Sequence, residues 1–315
     1  MQNLHNMRPP QPNQVIQYRG RFSPSPSGFL HFGSLIAALA SFLDAKAFTN
    51  IVGESGKWLV RIEDIDPPRE QKGASSEILK TLDAFGLHWD ENVLYQSQQS
   101  DYYHELLTNL NQQELSYYCQ CTRAQIKAMG GIYQGHCKNL AISKQRSATR
   151  FINQSGLYQF DDLFQGQVTC DQALANEDFI IHRKDGLFAY QLAVVADDIM
   201  QNISHVIRGC DLLEPTARQL TLYQALNNSF LPCTTPQYGH VPLAISHQGY
   251  KLSKQNKAPA IDNANPQPAL IAALTFLGQS PSAELVQANV EEIITWAIKH
   301  WQRKKVPNVP QISID

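Results

Sequence analysis

Arg19-Gly20-Arg21-Phe22-Ser23-Pro24-Ser25-Pro26-Ser27-Gly28-Phe29-Leu30-His31-Phe32-Gly33-Ser34 decides the fold of this chain. Residues 17–23 read as a short strand, and the run of Ser, Pro and Gly from Ser23 to Gly28 cannot continue it, so the chain must turn. From Gly33 to Phe48, Leu35, Leu39, Phe42, Leu43 and Ala47 recur at three- and four-residue spacing on an Ala-rich background, which predicts a buried helix. Lys57 to Ile62 then alternates like a strand. Strand, Ser/Gly loop, helix and strand make a βαβ unit. Its right-handed crossover puts the loop at the carboxyl edge of a parallel sheet, where ligands bind.

Working outward, helices are expected at Ala74–Phe85 and Tyr102–Leu110, so the first half is α/β. Residues 116–182 change character, with Cys-x-Cys, a Gly-Gly pair and short runs such as Gln165–Thr169, and read as an irregular insertion. The rhythm resumes with apolar runs at Phe179–His182, Leu187–Val195 and Val206–Arg208, a helix from Pro215 to Leu226, and a strand at Val241–Ile245. Two further helices are expected at Pro268–Leu277 and Ala283–Trp301, the second ending in Lys299, Arg303, Lys304 and Lys305. The resulting division is a disordered lead-in (1–16), a first catalytic half (17–115), the insertion (116–182), a second catalytic half (183–257), a helical part (258–306) and an unstructured tail (307–315).

The 315 residues suffice for about two domains. With 43% hydrophobic and 17% charged residues, a disordered or fibrous chain is excluded. Lys plus Arg total 26 against 28 acids, so any nucleic acid must be met by local patches and not by a global field. No apolar run approaches the ~20 residues of a membrane span, and residues 1–16 lack the apolar core of a signal peptide, so the expected compartment is the cytoplasm. Six cysteines are too sparse for a disulfide scaffold, and three of them fall within 119–137, which suggests a metal.

His31-Phe32-Gly33-Ser34 lies where the loop meets the helix start, so backbone amides and the helix dipole can meet an anion while His31 reaches across it. The tripeptide His-x-Gly arises by chance about once in two chains of this composition, so its placement matters more than its letters. A second polar loop, Tyr250-Lys251-Leu252-Ser253-Lys254-Gln255-Asn256-Lys257, follows the expected strand at Val241–Ile245. Alone it would read as a solvated basic loop.

Together, residues 21–34 and Lys251-Leu252-Ser253-Lys254 resemble the paired signatures of class I aminoacyl-tRNA synthetases, in the form carried by the glutamyl branch. The four-residue HIGH signature of that class ends here in Ser34, and the KMSKS signature reads Lys251 to Gln255. The resemblance covers about residues 17–280, including Arg61-Ile62-Glu63-Asp64-Ile65-Asp66, Gly131-Ile132-Tyr133 and Asp178-Phe179-Ile180-Ile181-His182-Arg183. It implies a Rossmann-type parallel-sheet catalytic domain, an inserted zinc-bearing α+β acceptor-type module and a short helical C-terminal part. Too little chain follows the lysine loop for the large anticodon-binding region of an ordinary glutamyl enzyme. That points to the truncated members of the branch, which join glutamate to the queuosine base of aspartate tRNA.

The implied reaction is attack of a glutamate carboxylate on the α-phosphate of ATP, giving glutamyl-adenylate and pyrophosphate. His31, Lys251 and Lys254 are the implied catalytic residues, and His31, Gly33, Ser34 and Lys254 the implied ATP contacts, with Mg²⁺ on the phosphates. L-Glutamate carries two carboxylates and an ammonium, which call for cationic forks and one anion. The resemblance assigns its binding to Arg21, Phe22, Ser23, Pro24, Ser25, Glu63, Tyr190 and Arg208. By composition alone, either arginine could pair with a surface acid and Tyr190 could belong to the core. The remaining partner is tRNA(Asp) containing queuosine, and a monomer is expected.

Cys119, Cys121 and Cys137 place three thiolates in one short stretch, compatible with tetrahedral zinc short of one ligand. Spacing leaves the fourth open between His136, Tyr133 and no metal at all. The family pattern carries tyrosine at the position of Tyr133, which implies Zn²⁺ on Cys119, Cys121, Tyr133 and Cys137 in a structural role. Competing functions are a catalytic fragment that charges the tRNA 3′ end and a non-enzymatic paralogue that binds tRNA or glutamate. Intact Arg21, His31, Glu63 and Lys254 disfavour the second.

Overall fold

The computed structural model describes residues 17–247 and 259–314. The opening unit forms where the sequence places it. β1 (Arg19–Phe22) and β2 (Lys57–Ile62) pair in parallel with Arg21 opposite Leu59, and α1 (Phe32–Lys46) crosses between them. α1 is buried nearly all round because the sheet covers one side and helices from the C-terminal part cover the other. Gly56 allows β2 to start against it, since a Cβ there would lie 2.3 Å from the Ala45 carbonyl oxygen.

Next come α2 (Ala74–Ala84), β3 (Leu94–Tyr95) and α3 (Ser100–Gln112). The stretch read as an insertion holds β4 (Ser116–Cys119), α4 (Arg123–Ala128), β5 (Ala148–Phe151), β6 (Gln159–Asp162), β7 (Gly166–Thr169), α5 (Gln172–Ala175) and β8 (Ile180–His182). The second half is α6 (Tyr190–Met200), β9 (His205–Gly209), α7 (Leu213–Ser229), β10 (Gln237–Val241), β11 (Leu243–Ile245), α8 (Gln267–Phe276), α9 (Val290–His300) and β12 (Gln311–Ser313).

Two sheets lie side by side, β3-β2-β1 and β9-β10-β6-β7, and β9 flanks β1, where the Ser204 amide donates to the Arg19 carbonyl at 2.9 Å. Every ladder in these two sheets is parallel except β6–β7. The insertion therefore does not form one separate unit. β4, β5 and β8 build their own antiparallel sheet, whereas the β6–β7 hairpin extends the catalytic sheet, with Asp162 paired to Tyr238.

Three expectations change. The strand at Val241–Ile245 breaks at Pro242, which lacks the N–H a ladder needs, so β10 and β11 are separate. The helix expected from Ala283 to Trp301 starts only at Val290, where Asn289 and Glu292 form a reciprocal capping box. Residues after Pro307 are ordered: β12 pairs in parallel with β11, and Ile312 and Ile314 pack on the main core. Among the described residues, no helix is long and apolar enough to cross a membrane.

Candidate active site

β1 has β2 on one side and β9 on the other, so the strand order reverses at its carboxyl end and opens a crevice there. The chain leaving β1 lines that crevice. The Pro24 carbonyl accepts from the Glu63 amide at 3.0 Å, and the Pro26 carbonyl from Gln71 at 2.8 Å, which ties the loop to the end of β2. Gly28, at φ +140°, makes the turn that an L side chain would resist. His31 then caps α1, its Nδ1 accepting from the Ser34 amide at 3.3 Å. In the neutral ring this puts the proton on Nε2. The first turn leaves the Phe32 and Gly33 amides without intrahelical acceptors.

Lys251 and Lys254 lie outside the described residues. The chain beyond them re-enters beside the same loop: Ala260 bridges His31, and the Ile261 amide donates to the Leu30 carbonyl at 3.1 Å.

Beneath the loop is a cluster of buried charges. Arg21 on β1 makes a two-pronged contact with Asp198 on α6, Nε to Oδ1 and Nη2 to Oδ2, each 3.1 Å. Arg61 on β2, fully buried, reaches Asp198 at 2.6 Å and Asp197 at 3.7 Å. Asp197 also accepts from Gln96 at 2.7 Å and from the Tyr103 hydroxyl at 2.8 Å. Burial pushes the Asp197 carboxyl up to about 6. Burial likewise lifts Glu63 to about 7 against the pull of Arg61 and Arg21, and its Oε1 is buried with no hydrogen-bond partner among the described residues. A buried acceptor of this kind is costly unless something donates to it.

Arg208 on β9, 4% exposed, is the matching cation. Its Nε donates to His240 at 3.0 Å and its Nη2 to Thr216 at 2.6 Å and the Leu212 carbonyl at 3.2 Å, while Nη1 is buried without a partner among the described residues. Tyr190, at the start of α6, lies within the fields of Arg208, Glu63 and Arg21 at once.

A cavity of about 550 Å³ opens over this cluster, lined by Ser25, Glu63, Asp66, Gln96, Phe188 and Tyr190 among others. A smaller one of about 210 Å³, between Leu115, Phe151 and α7, has no charged wall. Of the residues assigned to glutamate from the sequence, Ser25, Glu63 and Tyr190 line the larger cavity, Arg21 lies in the charge cluster, and Arg208 is held by His240 and Thr216. Phe22 instead belongs to the hydrophobic core, its ring 6.4 Å from Trp58. The sequence reading missed Arg61, Asp197, Asp198 and His240. Their signal was an arginine inside an apolar strand and an Asp-Asp pair inside the apolar run of α6.

The sulfurs of Cys119, Cys121 and Cys137 all lie within 4.8 Å of one another. Tyr133 is buried with them, its hydroxyl accepting from the Cys137 amide at 2.7 Å, and the Arg150 guanidinium covers its ring at 3.6 Å. His136 is exposed and stands outside this group. Three soft sulfurs and a convergent phenol fit a tetrahedral zinc ion.

Residues 17–309 match the family described as tRNA synthetases class I (E and Q), catalytic domain, and the chain belongs to that family. It is 75% identical to the glutamyl-Q tRNA(Asp) synthetase of Colwellia psychrerythraea over 315 residues, 100% of each chain. To the protein of the same description from Escherichia coli K12 it is 54% identical over 291 residues, 92% of this chain and 91% of the other. In three dimensions it superposes on the glutamate-tRNA synthetase of Elizabethkingia anophelis with a TM-score of 0.76 and 23% identity, over 95% of this chain and 68% of that one.

Proposed function

We propose that this chain activates L-glutamate with ATP and transfers it to the queuosine nucleoside of tRNA(Asp). The observation that carries this reading is one buried carboxyl oxygen and one buried guanidinium nitrogen, Glu63 Oε1 and Arg208 Nη1, each without a hydrogen-bond partner among the described residues. Glutamate supplies the complements, an ammonium for Glu63 and a carboxylate for Arg208 and the Nη1 edge of Arg21, which Asp198 leaves out of its fork. The other carboxylate attacks the α-phosphorus of ATP, and pyrophosphate leaves with the bridging oxygen. His31 Nε2, the α1 amides at Phe32 and Gly33, the Ser34 hydroxyl, and Lys251 and Lys254 meet the growing phosphate charge, with Mg²⁺ bound to the nucleotide. A hydroxyl of the cyclopentene diol of queuosine then attacks the acyl carbon, and AMP departs.

The relatives of 75% and 54% identity carry the acceptor assignment, since the activation chemistry is common to 3′-end charging. In the same reading, Cys119, Cys121, Tyr133 and Cys137 would hold Zn²⁺, which cross-links the strand end at Cys119 to the loop at Cys137 and takes no part in the chemistry. Transfer of labelled glutamate to tRNA whose 3′-terminal adenosine has been trimmed away tests the acceptor. Queuosine-containing trimmed tRNA accepts glutamate on this reading and queuosine-free intact tRNA does not; the reverse identifies a 3′-end charger.

A further inference from the structure

Arg208 owes its pose to a chain of buried groups that begins in another part of the sequence. Asp162, at the end of β6, accepts through Oδ2 from His240 Nδ1 at 2.6 Å, and through Oδ1 from the amides of Phe164, Gln165 and His240 at 2.9–3.0 Å. With the proton on Nδ1, His240 Nε2 is left as an acceptor and takes the Arg208 Nε–H at 3.0 Å. His240 is fully buried and sits opposite Arg208 in the β9–β10 ladder, so backbone pairing and side-chain contact fix the same register. The Tyr238 ring lies 5.0 Å from the guanidinium and within 7° of parallel to the imidazole.

A guanidinium has its donors in a rigid plane, so binding Nε and Nη2 dictates where Nη1 points. Here those two nitrogens are held by His240 and Thr216, and Nη1 is the buried nitrogen with no partner among the described residues. A protonated His240 would present N–H to N–H and could not hold this pose. Burial keeps the imidazole neutral, lowering it to about 4.

We infer that His240, oriented by Asp162, is a positioning residue for glutamate: it holds Arg208 so that Nη1 is presented to the substrate carboxylate. This rests on the proposed reading that Arg208 takes that carboxylate, and the two can fail separately.

The test is ATP–pyrophosphate exchange with glutamate and ATP varied independently, in wild type, Arg208→Ala, His240→Phe, His240→Gln and His240→Asn, with thermal melting of each. Gln places an amide oxygen near the Nε2 position and can still accept from Arg208; Asn reaches only toward Asp162. The expected result is a glutamate KM raised about 10-fold or more in His240→Phe and His240→Asn, at least partly restored in His240→Gln, with the ATP KM changed less than about 3-fold. If Arg208→Ala raises the glutamate KM but Asn equals or exceeds Gln, or both KM values move together, the positioning role is overturned. An unchanged glutamate KM in Arg208→Ala overturns instead the assignment of Arg208 to the substrate. Should His240→Phe fail to fold, the Gln and Asn pair decides alone, and failure of both to fold while wild type is stable assigns His240 to the core and also overturns the inference.

Discussion

Arg21 and Asp198 meet through two parallel contacts of 3.1 Å with their side chains 3% and 2% exposed, although 177 residues separate them in the chain. The pair joins β1 to α6, and Arg61 shares the same carboxylate. Two guanidiniums thus converge on one buried acid. Asp198→Asn keeps the shape but leaves both cations short of a charge. The expected loss is about 3–5 kcal/mol of stability, read from urea unfolding.

Glu63 gives the site a pH dependence. Because burial holds it near 7, against an ordinary 4.5, the native chain keeps a proton that the unfolded chain releases. Stability from this group is therefore greatest at low pH and declines as pH rises from about 4.5 through 7. Binding of an ammonium favours the carboxylate and reverses the trend. Glutamate affinity should increase from pH 6 to 8, by at most about tenfold per unit, with proton release seen by calorimetry in two buffers. Glu63→Gln should bind weakly and show neither effect.

His31 caps α1 and is proposed to donate to phosphate; one substitution removes both, and each has its own readout. His31→Ala removes the cap contact to Ser34, worth about 1 kcal/mol, and the donor aimed at phosphate, worth about 10²-fold in pyrophosphate exchange. A melt shifted by a few degrees with exchange nearly abolished is the expected combination. Normal exchange would remove His31 from the chemistry.

The cysteine cluster should behave as a staple. Protein purified without chelator is expected to hold one zinc per chain by elemental analysis, and Cys137→Ser should lower the melting temperature before it alters pyrophosphate exchange. Tyr133→Phe retaining full zinc would move the fourth ligand elsewhere.

Arg303 is tied into the fold by its own contacts. It pairs with Asp44 through two contacts of 2.7 and 2.9 Å, beside the Tyr18 hydroxyl and the Trp301 indole, which bind the same carboxylate. Arg303→Ala should destabilise the chain by about 1–3 kcal/mol while leaving the salt dependence of tRNA binding unchanged. A flattened salt slope would show that this residue contacts tRNA phosphates.

The βαβ unit was legible because its signals are local: the 3.6-residue period of α1, the turn residues of Ser23–Gly28, the alternation of β2. Ser25, Glu63, Arg21 and Arg208 were named through family resemblance, since nothing local distinguishes a pocket arginine from one on the surface. What escaped depends on contacts far apart in sequence. The Asp197-Asp198 pair reads as an interruption of an apolar helix until Arg21 and Arg61 are brought against it. The tail alternates apolar and polar residues only over Gln311–Ile314, too short a run to signal a strand alone, and β12 forms by pairing with β11. The split of the last helix was within reach, because Asn289 and Glu292 have the spacing of a capping box.

The β6–β7 hairpin bears on how such a chain could be rebuilt from parts. By sequence order it travels with the cysteine-bearing stretch, yet Asp162 at its base supports His240 and, through it, the arginine of the pocket. A chimera that exchanged all of 116–182 would replace Asp162, and with it the support of His240, along with the module, and a deletion of that stretch would remove that support altogether. The portion that can be grafted without reaching the amino-acid pocket is narrower, from β4 to β5, and it ends before the chain returns to the main sheet at Gln159.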